Sequence, residues 1–131
     1  MLSLLDSVDP SRVYLACGAT DMRKSIDGLA GIVTYTFELD PFSPSLFVFC
    51  NRQRNKLKIL FWQNNGFWLF YRRLEKGQFR WPSAPRPTST GAAPPPCRAL
   101  AIDRRQLQWL LDGLELEQAK AHAPLQLRTA A

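Results

Sequence analysis

Between Asn51 and Arg80 the chain places eight basic residues (Arg52, Arg54, Lys56, Lys58, Arg72, Arg73, Lys76 and Arg80) against one acidic residue, Glu75, a local net of +7. The whole chain carries +6, so everything outside this segment comes to −1. Cations gathered on one surface neutralise phosphates, and aromatic rings among them stack on unpaired bases. Trp62, Trp68, Tyr71 and Trp81 are interleaved with these cations. The combination points to DNA as a partner, with the eight cations as phosphate contacts and the four aromatics as candidates for stacking or for a protein interface. If about six phosphates are neutralised, log affinity should fall with log salt at a slope near −5. Strand alternation sets one limit in advance: Arg72 and Arg73 must point to opposite faces.

Catalytic chemistry has far less to work with. His122 is the only histidine, and it lies in a weakly patterned tail, so a histidine triad or a zinc site has little to build on. Gly28 and Gly31 fall inside a helical pattern rather than after a strand, which is not the arrangement that cradles phosphate. Asp21, Asp27, Glu38 and Asp40 are the carboxylates available for a magnesium site. Asp21 and Asp27 would diverge by about 240° around a helix, which suits capping and solvent better. Cys17, Cys50 and Cys97 are odd in number and widely spaced, and read as reduced thiols rather than a disulfide frame or a metal site. The reading is a protein that is not an enzyme, with no metal and no cofactor.

With 131 residues, 46% of them hydrophobic and 21% charged, the chain suits one globular domain. No apolar run nears the roughly 18 to 20 residues that a membrane-spanning helix requires. The opening Met1–Asp6 has no basic region and meets acid early, a poor signal peptide. A cytoplasmic protein without a membrane partner is expected.

Strands carry most of these cations. Leu46–Cys50 is a continuous aromatic and β-branched run, as in a strand buried on both faces. From Lys56 to Trp62, Leu57, Ile59 and Phe61 share one face, while Lys56, Lys58, Leu60 and Trp62 share the other. Asn65-Gly66 signals a hairpin turn into Phe67–Leu74, and Phe79–Trp81 reads as a short edge strand ended by Pro82. Upstream, Arg12–Cys17 is a strand closed by Gly18. Met22, Ile26, Leu29, Val33 and Phe37 then mark one face of a helix capped by Thr20 or Asp21. Six of the ten prolines lie between Pro82 and Pro96, a loop; Asp103 then caps a helix carrying Leu107, Leu110, Leu111 and Leu114. The expected fold is α+β: a small antiparallel β-meander sheet packed against an N-terminal and a C-terminal helix. The expected organisation is one domain over residues 8–116, interrupted by a Pro-rich loop at 82–99, with a frayed tail at 117–131.

Several ordered motifs also carry a family resemblance. Thr20–Leu29 (TDMRKSIDGL) resembles the signature TDMRKGFDGL, and it is followed in order by Asp40–Ser43, Leu46–Phe49, Lys56–Trp62, Gly66–Gly77, Phe79–Pro82 and Gln106–Leu114. The family is that of TnpB-type accessory proteins of insertion sequence 66 elements, encoded beside a DDE transposase and distinct from the RNA-guided nuclease that shares the name. The resemblance implies an accessory role in transposition of a bacterial mobile element, alongside the transposase and a smaller helix-turn-helix protein. It carries over no catalytic residues. Two functions then compete: contact with DNA at the element ends through the basic-aromatic hairpin, or an adaptor that docks on the transposase without touching DNA directly.

Overall fold

Ser45–Cys50 is buried at every position, and it forms the middle strand of a five-stranded sheet. A computed structural model describes residues 12–82 and 99–113 of the chain. In order these form β1 (Arg12–Ala16), α1 (Ile26–Gly31) running into a π-helical turn (Ile32–Thr36), β2 (Ser45–Cys50), β3 (Lys56–Gln63), β4 (Gly66–Arg73), β5 (Ala99–Ile102) and α2 (Arg104–Leu111). Across the sheet the order is β4-β3-β2-β1-β5.

The fold is α+β, but the sheet is mixed rather than purely antiparallel. β2–β3, β3–β4 and β1–β5 are antiparallel, whereas β1 and β2 run parallel, with Val13 opposite Leu46 and Leu15 opposite Val48. A parallel pair requires a long crossover, and residues 17–44 provide it with α1 inside. Side-chain period reports which residues share a face and says nothing of strand direction, so the crossover was not legible locally.

Alternation sorts the apolar residues into two layers. On one face Val13, Leu15, Leu46, Val48, Leu57, Ile59 and Phe61 pack with Leu107, Leu110 and Leu111 of α2 and with Phe79 and Trp81. On the other, Phe47, Phe49 and Leu60 pack with Leu29, Val33 and Phe37 from α1 and the turn after it. The division of β3 read from its sequence is the one observed.

Four local expectations change. The first helix starts at Ile26 after Ser25, because the Thr20 N–H is bonded to Cys50 O at 2.7 Å and the Asp21 carboxylate is bonded to Arg23. The hairpin turn is centred on Asn64 and Asn65, with φ of 51° and 68°, while Gln63 and Gly66 pair across it. Both centres lie left-handed, as a type I′ turn needs, and asparagine tolerates that region. Phe79–Trp81 is not a strand; it is buried against the α2 face, with Phe79 N bonded to Arg54 O and Trp81 Nε1 to Ala16 O. Ala99, placed in the loop, instead opens β5, an Ala-rich strand of weak intrinsic propensity that exists because β1 offers a free edge. The rest of the Pro-rich stretch and the tail lie outside the described residues.

α2 is closed at its start by a reciprocal cap. Gln106 N donates to Asp103 Oδ1 at 2.7 Å, and Asp103 N donates to Gln106 Oε1 at 3.0 Å. α1 has no such side-chain cap and contains two glycines. Gly31 has φ −62° and ψ −40°, and a Cβ added there meets nothing within 4 Å. Gly31→Ala should therefore stabilise the protein by about 0.4–1 kcal/mol, read as an upward shift of the urea midpoint. Gly28→Ala should gain less, since its Cβ would come 3.2 Å from Lys24 Cβ.

Candidate nucleic-acid interface

The sheet twists the expected site in two. In the β3–β4 register Lys56 lies opposite Arg73 and Lys58 opposite Tyr71, all four on the α1 face. Arg72 points to the α2 face, where it donates to Leu111 O at 2.8 Å and its guanidinium sits 5.9 Å from the Phe79 ring. It thus binds a carbonyl at the C-terminal end of α2, where the helix dipole favours a cation. Arg72→Met keeps the apolar stem but removes this charge-assisted bond. We expect a loss of about 1–3 kcal/mol in urea unfolding.

An open groove of about 860 Å³ lies on the α1 face, beneath the loop that leads into α1. Its lining includes Asp21, Met22 and Arg23 from that loop, Arg52 from the β2–β3 loop, and Lys56, Lys58, Leu69 and Tyr71 from the two strands. Asn51 builds the β2–β3 loop: its Oδ1 accepts from Asn55 N and Lys56 N, both at 3.0 Å, and its Nδ2 donates to Asn55 Oδ1 at 2.8 Å. Arg54 takes a left-handed φ of 61° within it. Arg52 is thereby held beside the start of β3.

Lys58 has a structural duty. Its ammonium donates to Met22 O at 2.7 Å and Lys24 O at 2.8 Å, tying down the loop above the groove. It also lies 5.8 Å from the centre of the Tyr71 ring. Arg23 reaches into solvent, its side chain 91% exposed, and chelates Asp21 with contacts of 2.8–3.1 Å. Those hydrogen bonds hold the Asp21 carboxyl down at about 2, so it is ionised across the physiological range. Arg73 pairs with Glu75 at 2.9 Å, both exposed. Among the described residues, no carboxylate lies within ion-pair distance of Arg52, Lys56, Lys76 or Arg80.

Of the eight cations read from the sequence, Arg52, Lys56 and Lys58 line the groove, Arg73 adjoins it and Arg72 lies on the α2 face; Arg54, Lys76 and Arg80 belong to the loops. Arg23 joins them although it lies far outside the +7 segment. Nearby acids concealed it from a charge count, and the Thr20–Leu29 motif was the signal that flagged its stretch. The aromatics separate as sharply. Tyr71 is 50% exposed in the groove, and Trp68 is exposed on the α2 face with Nε1 on Gln63 Oε1. Trp81 is 4% exposed and has no surface to offer a base. Trp62 is half-buried in a ring cluster with Phe42 and Phe67.

Asp40 accepts from Phe42 N at 2.9 Å, and Asp27 is exposed on α1. Among the described residues no three His, Cys, Asp or Glu side chains gather as for a metal, and no helix is long and apolar enough to cross a membrane. His122 lies outside them. Cys50 is free and buried, and burial pushes its thiol up to about 11, so it stays protonated. The expectation of three reduced cysteines fails at Cys17, which is disulfide-bonded. Pairing depends on the approach of two Cα atoms in space, which spacing along the chain does not reveal.

The chain has sequence relatives among known proteins. The chain is 38% identical over 112 residues to uncharacterized protein y4hO of Sinorhizobium fredii, covering 86% of this chain and 88% of that one. It is 27% identical over 109 residues to uncharacterized protein y4jC of the same organism, covering 83% and 84%. No solved structure matches. The family model described as IS66 Orf2 like protein matches residues 11–121, and with that span the chain belongs to the IS66 Orf2-like family.

Proposed function

We propose that this protein, transposition-associated and accessory by its family, contacts element DNA without catalysis through the groove rimmed by Arg23, Arg52 and Lys56, with Arg73 at its edge. One observation carries the reading: Lys56 stands directly opposite Arg73 on the same face, beside Arg52 and Arg23. Like charges directly opposed across strands are destabilising, and Glu75, paired with Arg73 at 2.9 Å, offsets only part of that repulsion. A phosphate between them replaces that repulsion with attraction and releases counterions. The pairing of both Asp21 oxygens with Arg23 supports a non-catalytic role for that carboxylate.

Anisotropy titrations of a labelled duplex across a salt series test the reading. About four phosphate contacts give a log–log slope of about −3 to −4, shallower than a single stripe of six would give. A flat response, or no binding at low salt, rejects it.

A second reading has its own observation. Phe42, 56% exposed, packs on Trp62 at 4.8 Å and Phe67 at 5.5 Å between ring centres, a solvent-facing aromatic cluster near the hairpin turn. Such clusters act as interface hot spots, which supports docking on the transposase. Co-purification with the transposase that survives nuclease and high salt, and is lost in Phe42→Ala, would favour this adaptor role.

A further inference from the structure

The composition of the groove bears on which form of DNA it takes. Its floor includes Leu69 and Tyr71, neighbours on the same face of β4, while Arg23, Arg52 and Lys56 stand around them. Tyr71 is half exposed, and Lys58, which lies over its ring at 5.8 Å, is anchored to two loop carbonyls. An apolar and aromatic floor inside a cationic rim matches a ligand that presents flat apolar faces and negative charge together. Duplex DNA presents its phosphates outward and keeps its base faces stacked in its interior. An unpaired strand shows both, and its bases are free to stack on a ring while its phosphates reach the rim.

We infer that the groove binds unpaired DNA in preference to duplex, with a base stacked on Tyr71 and the flanking phosphates on Arg23, Arg52 and Lys56. The inference rests on the groove being the DNA-contacting surface. Arg23 is part of the groove lining, its exposed guanidinium paired with Asp21.

Three probes of equal length separate the contributions: single-stranded oligodeoxythymidylate of about 12 nucleotides, a duplex, and a single strand with abasic sites throughout. The thymidylate strand should bind at least about tenfold tighter than the abasic strand, since a stacked base is worth about that or more. It should also outcompete the duplex. Tyr71→Ala should lower affinity for the thymidylate strand about tenfold and leave duplex and abasic binding where they were. Tyr71→Phe, which keeps the ring, should bind as the parent does. Thermal unfolding of both variants checks that the sheet is intact, and Tyr71→Phe keeps the test valid if the alanine variant is weakened. Equal binding of abasic and thymidylate strands, tighter binding of duplex, or indifference to Tyr71→Ala overturns the inference while leaving the cationic groove standing. Failure of all three probes to bind overturns both.

Discussion

Replacing Arg23, Arg52 and Lys56 together with glutamate should lower DNA affinity about 10³-fold near 0.1 M salt, at about tenfold per lost phosphate contact, and should flatten the salt slope by about three. These three line the groove and are offered because none holds the fold. Arg23 forms an exposed pair with Asp21, a type of contact with little bearing on stability. Arg52 projects from a loop organised by Asn51 rather than by its own side chain. Lys58 and Arg72 are excluded for the opposite reason: one anchors the loop over the groove and the other binds the end of α2. Glutamate at either would mix loss of binding with loss of structure. Lys76→Glu, an equal change of charge outside the groove, serves as the control and should change affinity only slightly. Loss of affinity in that control equal to the loss per groove residue would show that net charge alone governs binding.

The largest effect on stability should come from Trp81→Ala. The ring is 4% exposed, packs with the cluster under α2, and donates to Ala16 O at 2.9 Å. Its removal empties a large buried volume and takes a donor from a buried carbonyl at the end of β1, at a cost of about 3–5 kcal/mol. Against a total of roughly 5–15 kcal/mol for a domain, that is a severe loss. Trp81→Phe retains most of the ring and should cost about 1–3 kcal/mol, mainly through the lost hydrogen bond. Trp68→Ala, at an exposed site, should stay within about 1 kcal/mol of the parent. Urea unfolding followed by circular dichroism orders the three. A Trp81→Ala protein as stable as Trp68→Ala would refute the placement of this tryptophan.

The two tryptophans show where sequence reading runs out. Both sit in short aromatic stretches, Phe67-Trp68-Leu69 and Phe79-Arg80-Trp81, whose composition does not say which ring is buried. Trp81 becomes core because Pro82 and the preceding turn carry its segment back across the α2 face, where Phe79 N finds Arg54 O. Trp68 stays at the surface because β4 is a sheet edge. The same limit applies to the cations. Alternation foretold that Arg72 and Arg73 part company, and it also placed Lys56 and Lys58 on one face of β3. It did not foretell that the face with Lys58 would receive the 20–24 loop, whose carbonyls accept hydrogen bonds from that lysine.

By itself the sequence determined the things that depend on near neighbours. Those are the buried run that became β2, the period-two split of β3, the cap at Asp103, the excess of positive charge, and the ordered motifs that mark the family. Tertiary structure alone decided the parallel pairing of β1 with β2, the existence of β5, and the meeting of Arg23 with Arg52 and Lys56. The physical reason is common to all three. Periodicity and capping are set by interactions within a few residues, whereas these arrangements depend on where a crossover returns the chain, and that is selected by the burial of two opposite sheet faces at once.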